Sequence, residues 1–367
     1  MKSKAEALYV HIPFCKNICN YCDFKKFIYN EKRIDGYFES LFFDLEKFKQ
    51  NKYKSIYIGG GTPSCINTNL LEKLLIFLSS MLKKNYVEFC IECNVEDINE
   101  KLLRLLKQYK INRVSIGVQS FNQKFIDYCG RKHTKKSAVS NILLASKYIE
   151  NISIDLIYAF QSQTLRDIGQ DIKTAISLPI KHISYYSLLI EENTVLWAKK
   201  VENVDDITQE KMYKFIYKKL KENNFERYEI SNFSKEGKYQ SFHNKIYWKN
   251  KHYDAAGLAA SGYHNNIRYV NNCNIIKYIE KDFSHDSEIL LSKNDIMFEE
   301  IMLNLRLDEG LNIELFNKKY HTNFMEKYKK AIQVNLKNKT IIIENNKIKT
   351  TFKGSLLLNS VLEFFIQ

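Results

Sequence analysis

No apolar run in the 367-residue chain reaches the eighteen or so residues that a bilayer-spanning helix needs, so any membrane contact is expected to be peripheral. No apolar signal core follows Met1-Lys2-Ser3-Lys4, which argues against a secretory disulfide framework for the eight cysteines and for reduced thiols in a cytoplasmic setting. Proline is scarce, with three residues, and glycine numbers only twelve, so a place where both cluster is informative. Disorder is excluded from the other side: 45% hydrophobic and 13% aromatic residues can fill one large core and a smaller one. Acidic residues are outnumbered, 42 against 56 Lys and Arg, and the net charge of +14 favours polyanions, anionic headgroups or carboxylate-rich ligands. The lysines are spread along the whole chain. No single basic patch stands out, and charge alone does not point to nucleic acid.

One stretch near the start draws the eye. Tyr9 to Phe24 carries Cys15, Cys19 and Cys22 at spacings of four and three, just after an apolar strand-like run and behind Pro13. A fourth thiol is lacking there. Structural zinc takes four ligands, commonly in two separated pairs, whereas an iron–sulfur cluster held by three thiolates keeps one iron open to another ligand. Taken alone, the spacing leaves a zinc site or a chance cluster as alternatives. Cys90 and Cys93 form a second close pair. Positions three apart on a strand face opposite sides, so both are expected to be packing thiols.

The first two-thirds of the chain repeats a strand-then-helix pattern. Strands are expected over 7–12, 54–58, 87–93, 113–117, 152–157 and 182–189, and helices over 34–48, 70–82, 101–109, 136–149 and 165–177. Such crossovers imply parallel strands. Six units suit a partial (β/α)6 barrel, an α/β fold with functional groups at the carboxyl ends of the strands. Gly59-Gly60-Gly61-Thr62-Pro63 follows the second strand and lets the backbone approach a ligand closely. The third strand ends in Glu92. Gln119 and Arg131 follow the fourth, and Asp155 stands on the fifth.

The cysteine motif resembles that of the radical S-adenosylmethionine (SAM) superfamily. That resemblance implies a [4Fe–4S] cluster on Cys15, Cys19 and Cys22, with SAM chelating the open iron and being cleaved to a 5'-deoxyadenosyl radical. The remaining motifs match a narrower group, the subfamily containing oxygen-independent coproporphyrinogen III dehydrogenase and a haem chaperone. Its further matches are 187–194, 228–233 and His243-Asn244-Lys245-Ile246-Tyr247-Trp248, so the resemblance covers nearly the whole chain. Asp23-Phe24 after the third cysteine, and a start close to the motif, favour the chaperone branch.

Carried over from the family, Tyr9, Gly60 and Glu92 are expected to hold the cluster-bound SAM. Gly61, Thr62, Gln119, Arg131 and Asp155 match a second SAM or substrate position. A neutral imidazole can ligate haem iron, and Tyr247 and Trp248 offer flat faces, so His243 is the haem-ligand candidate; a packed, hydrogen-bonded histidine is the equal alternative. Two departures from the family stand out. Its Gly-Leu-Pro-Gly-Gln turn is here Ala159-Phe160-Gln161-Ser162-Gln163. Its glycine-rich stretch with a histidine is here Ala255 to Tyr263, with two glycines replaced by alanine and Ser261 in the histidine's place.

Beyond about Asn271 the repeat ends. Helices over 295–307, 313–319 and 324–335, then a hairpin of 340–343 and 347–351 and a final helix, resemble a winged-helix module, which in the resembled family covers the barrel mouth. The expected division is 1–270 for the core and haem-motif segment and 271–367 for a C-terminal winged-helix-like α+β unit. The expected function is a radical-SAM-type haem chaperone using a [4Fe–4S] cluster, SAM and haem; coproporphyrinogen oxidative decarboxylation is the alternative. Whether it is an enzyme is left open. Expected partners are haem and a haem-accepting protein, with a membrane respiratory enzyme as a candidate and a homodimer as an option. Nucleic acid is not expected.

Overall fold

The computed structural model describes residues 4–366. Six strands in chain order, β1 (Ala7–Ile12), β2 (Ser55–Gly60), β3 (Glu88–Asn94), β4 (Arg113–Gln119), β5 (Asn151–Tyr158) and β6 (His182–Ser187), lie side by side and parallel. The chain then adds β7 (Phe225–Glu229) and β8 (Asn232–Lys235), with β8 antiparallel to β6. It returns to the other edge as β9 (Tyr253–Ala256), parallel to β1. Three antiparallel strands complete that edge: β10 (Ser261–His264), β11 (Ile267–Asn271) and β12 (His285–Leu290). The resulting twelve-stranded sheet is open, with β12 and β7 at its ends.

The expected barrel strands and helices all form, with ends displaced by no more than three residues. The helices start early because their caps precede the apolar periodicity. Asn30, Asn67, Asn99, Thr134 and Thr164 each accept a backbone N–H from the first turn. Along β4 to β6 the side chains alternate. Val114, Ile116, Val118, Ile152, Ile154, Leu156, Ile183 and Tyr185 are buried in the main core. Arg113, Ser115, Gly117, Gln119, Ser153, Asp155, His182 and Ser184 face the other way, into a cavity.

Helix Phe242–Trp248 closes the opposite end of the barrel, where β2, β3 and β4 begin. Its Ser241 cap and the N–H groups of Phe242 and His243 all donate to Glu88, and Arg113 lies 3.9 Å from the same carboxylate.

A second core, built on Ile301, Leu305, Phe316, Phe324, Ile341, Ile348 and Val361, holds the C-terminal unit. It has helices Lys293–Asn304, Ile313–Tyr320 and Lys329–Lys337 and the hairpin of Ile341–Glu344 with Lys347–Thr350. Asn345 and Asn346 turn the hairpin with φ of 49° and 61°, the geometry of the tight turns that asparagine tolerates. The single helix expected over 324–335 is broken at Tyr328 into Phe324–Lys327 and Lys329–Lys337. The unit packs beside the barrel and does not cover its mouth. Arg227 grips Asp308 (2.6 Å) and Ser355 (2.8 Å), Arg268 meets Glu299 (2.8 Å) and Lys249 meets Glu309 (2.8 Å), all away from the cavity.

The two departures from the family pattern keep the glycine conformation without the glycine. Ala159 has φ of 64° and Ser162 of 61°, the left-handed backbone that glycine favours, in the turn after β5. Ala259 likewise stands at 56°. Ser261 opens β10 and is exposed.

Candidate functional site

The cysteine loop is pinned from three sides. Phe14–Cys15 pairs with Phe27–Ile28, and Thr62 donates its N–H to the Phe14 carbonyl (2.8 Å) and its hydroxyl toward Cys15 Sγ (3.5 Å). On the far side Asn17 and Asn20 donate to the carbonyls of Gly130 (2.6 Å) and Tyr128 (2.8 Å). The glycines of the β2 loop make this approach possible. A side chain at Gly61 would stand 2.8 Å from the Phe14 carbonyl and 2.9 Å from Cys15 Sγ, and Gly60 takes φ of 117°.

Cys15, Cys19 and Cys22 line one cavity of about 410 Å³ together with Gly60, Gly61, Thr62, Glu92, Gln119, Arg131 and Asp155. Ten of the twelve expected site residues are thus brought together. The other two are Tyr9 and His243. Tyr9 stands one layer back, its ring stacked 6.2 Å from that of Tyr57 and its hydroxyl 2.9 Å from His11 Nδ1.

Glu92 is held at both oxygens, by the Tyr57 hydroxyl (2.7 Å) and the Gly60 N–H (3.1 Å). Burial pushes its pKa up to about 7; the Tyr57 and Gly60 donors oppose the rise, and the neighbouring Asp155 adds to it. Asp155 accepts from Ser115 Oγ at 3.2 Å, and burial raises its pKa as well. Arg131 is buried, with Nη1 donating to Asn94 (2.8 Å) and toward Cys19 Sγ (3.4 Å) and Nη2 to the Gly117 carbonyl. Burial works against its charge, and Tyr21, Cys19 and Glu96 outweigh it, so the guanidinium stays cationic. Gln119 adopts φ of 67° where β4 slips register against β5, an irregularity of the kind found beside ligands.

His243 lies inside the closing helix, 1% exposed. Its Nδ1 is 2.9 Å from Ser55 Oγ and its Nε2 is 2.6 Å from the Tyr247 hydroxyl, and its ring lies 5.1 Å from that of Tyr57. Burial lowers its pKa to about 3, so the imidazole is neutral. Both nitrogens are therefore engaged in the interior, and the ring supports Tyr57, which in turn holds Glu92.

Several lining residues escaped the motif reading. Arg113, Ser115, Ser153, His182 and Ser184 all face the cavity. The signal was present as polar residues or glycine two apart on strands that are otherwise apolar: 113, 115, 117 (glycine) and 119 on β4, then 153 and 155, then 182 and 184. Cys93 also borders the cavity, whereas Cys90 is fully buried.

The donor set fits an iron–sulfur cluster better than a single ion. Among the described residues no group of three His, Cys, Asp or Glu converges on one metal position. Thiolates bound to three different irons of one cluster need no such convergence. Burial pushes the Cys22 thiol up to about 11, and ligation to metal removes that proton outright. Arg131 Nε, buried and without a partner, and the cavity beside the glycine loop leave room and donors for a polar ligand.

Residues 9–175 match the model of the Radical SAM superfamily, and residues 291–357 match that of the HemN C-terminal domain. The cysteine loop, the glycine loop and strands β2 to β5 fall within one match, and they define a radical SAM protein. Full-length relatives narrow this. The chain is 35% identical over 374 residues to the heme chaperone HemW of Lactococcus lactis subsp. lactis, covering 100% of this chain and 98% of that protein. It is 33% identical to the heme chaperone HemW of Bacillus subtilis, covering 98% and 99%. The chain belongs to the HemW heme chaperone family. The solved structure of Escherichia coli coproporphyrinogen III oxidase (HemN), a radical SAM enzyme, superposes with a TM-score of 0.86 at 17% identity over 100% of this chain and 91% of that one, and so shares the fold.

Proposed function

We propose that the protein is a haem chaperone of the radical SAM type, which binds a [4Fe–4S] cluster through Cys15, Cys19 and Cys22, takes SAM beside it, binds haem and passes it to an acceptor protein. The supporting observation is the convergence of those cysteines with the glycine loop, Glu92, Gln119, Arg131 and Asp155 on one cavity, in a chain whose full-length relatives are named heme chaperones. When bound, the cluster would supply an electron and an open, Lewis-acidic iron. The chain's own residues supply the receptor. Gly60 and Gly61 bring the backbone close enough to meet an amino group, and Glu92 accepts from the ribose hydroxyls. Gly61, Thr62, Gln119, Arg131 and Asp155 line a second position for SAM or another substrate. The proposal treats 1–270 as core and haem-motif segment and 271–367 as C-terminal unit, with β12 on the C-terminal side of that division.

Anaerobic reconstitution tests the proposal. Brown cluster absorbance lost in Cys15→Ala, a SAM-dependent change in the spectrum of the reduced cluster, a Soret change on haem addition, and transfer to an apo-acceptor are the expected results. Absence of haem binding by cluster-loaded protein would sink it. The shared fold with the coproporphyrinogen oxidase keeps oxidative decarboxylation as the second reading. Product from coproporphyrinogen under reducing, anaerobic conditions with SAM would establish that instead. Among the described residues no helix is long and apolar enough to cross a membrane. An acceptor at a membrane would use the +14 charge for peripheral attraction from the cytoplasm. Salt-sensitive binding to anionic vesicles is expected, and none at low salt removes that part of the proposal.

A further inference from the structure

The cavity described above is polar inside and apolar at its lip. Phe24 is 64% exposed and Leu189 55%, and both border the same opening, next to the buried Leu188 and Ile157; Tyr186 follows His182 and Ser184 on the cavity face of β6, its phenol directed inward to Asp155 and Glu92. Phe24 comes from the cysteine loop and Leu189 from the segment after β6, and the two segments are tied by the Leu196 N–H to the Asn20 carbonyl (3.0 Å). Among the described residues none beyond Asn244 lines the cavity, and none of the C-terminal unit borders this lip.

A nucleoside with an amino-acid tail matches the charged interior, and its one purine face covers less apolar surface than a tetrapyrrole does. Large apolar side chains held exposed beside a binding cavity mark a ligand with an apolar face. Lys26 borders the same opening. Its Nζ donates to the carbonyls of Cys22 (2.5 Å) and Phe24 (3.2 Å), which uses two of its three hydrogens and leaves one for a carboxylate. Asp23 and Glu191 also line the mouth, so a ligand's own carboxylates are directed to the Lys26 edge.

We propose that a tetrapyrrole docks flat on the lip formed by Phe24 and Leu189 beside Leu188, with a propionate at Lys26, and that the docked haem does not reach His243. The inference rests on the haem-chaperone reading and adds the place of binding. A haem held at the lip stands beside the cluster loop and remains open to an acceptor, whereas a haem on His243 would have to displace the Ser55 and Tyr247 hydrogen bonds inside the closed end of the barrel.

The test titrates cluster-reconstituted, full-length protein anaerobically with ferric protoporphyrin IX, metal-free protoporphyrin IX and the dimethyl ester of the latter. The variants are the double Phe24→Ala/Leu189→Ala, chosen because both side chains are exposed, and His243→Gln. The double variant is expected to keep its cluster absorbance and to bind both porphyrins at least roughly tenfold more weakly. His243→Gln is expected to bind like the wild type, and the dimethyl ester more weakly than the free acid. Wild-type affinity in the double variant overturns the proposal while leaving the chaperone reading intact. So does loss of haem binding in a folded, cluster-loaded His243→Gln protein. A double variant that loses self-association but not porphyrin assigns the lip to a second copy of the chain and also overturns it. A wild type that binds no haem overturns both readings.

Discussion

A carboxylate walled in by Tyr57, Gly60 and Asp155 does not titrate where an exposed one does. Burial raises Glu92 from 4.5 to about 7, so the native state holds its proton more tightly than the unfolded chain. The sign follows: between those two values the ligand-free protein loses stability as pH rises, by about 3 kcal/mol if this group acts alone. Glu92→Gln should flatten that part of the profile in urea unfolding at pH 5 and pH 7.5; an unchanged slope would assign it to other groups. In the proposed SAM site the ribose hydroxyls donate to the ionised form, so SAM affinity should rise with pH through about 7. Calorimetric titration showing a flat profile would remove Glu92 from that role. At the same scale, Ala159, Ser162 and Ala259 occupy left-handed backbone that glycine adopts freely. The left-handed cost of an L-residue exceeds the entropic cost of glycine, so Ala159→Gly and Ala259→Gly should each stabilise by about 0.5–1 kcal/mol in chemical denaturation. The sequence showed the missing glycines but not that Ala159, Ser162 and Ala259 take left-handed backbone.

Helix Phe242–Trp248 carries a sequence motif that is open to two readings, a haem surface or a packed structural element. His243, Tyr247 and Trp248 suggested a haem surface or a packed histidine, and the helix forms the floor of the barrel with His243 hydrogen-bonded to Ser55 and Tyr247. Glu88 receives three donors at its amino end and faces Arg113, and His243 buttresses Tyr57. Glu88→Ala leaves the Arg113 guanidinium buried with its carboxylate gone, and a loss of about 3–5 kcal/mol is expected in thermal or urea unfolding. His243→Ala strands the Ser55 and Tyr247 hydroxyls and opens a cavity, for about 2–3 kcal/mol. A loss of less than about 1 kcal/mol on His243→Ala would contradict the buttress.

The whole molecule joins two cores through directional contacts and through Phe352 and Leu356, which pack on the main core. Arg227 makes several of the directional ones. It binds Asp308 and Ser355 and lies over the rings of Tyr217 and Phe352 at 5.3 and 5.6 Å. Arg227→Ala should loosen the C-terminal unit before the barrel, seen as faster hydrogen exchange and proteolysis between residues 291 and 366 with the barrel still protected. Simultaneous loss of protection in both units would mean that they unfold as one. The unit's position beside the barrel also leaves the cavity mouth open, contrary to the cover that the family resemblance implied.

The chain's own periodicities determined the strand-and-helix units, because both repeats are local and each helix carries its cap in the adjacent residue. The same holds for the cysteine loop and the glycine loop, whose chemistry lies in spacings of a few residues. What only the tertiary structure decided is which polar side chains share a cavity and which are spent in the interior. Glu92 meets Tyr57 across 35 positions, while His243 meets Ser55 across 188 and Glu88 across 155. Contacts at that separation depend on strand register and on where a late helix docks, and neither is written in any local pattern.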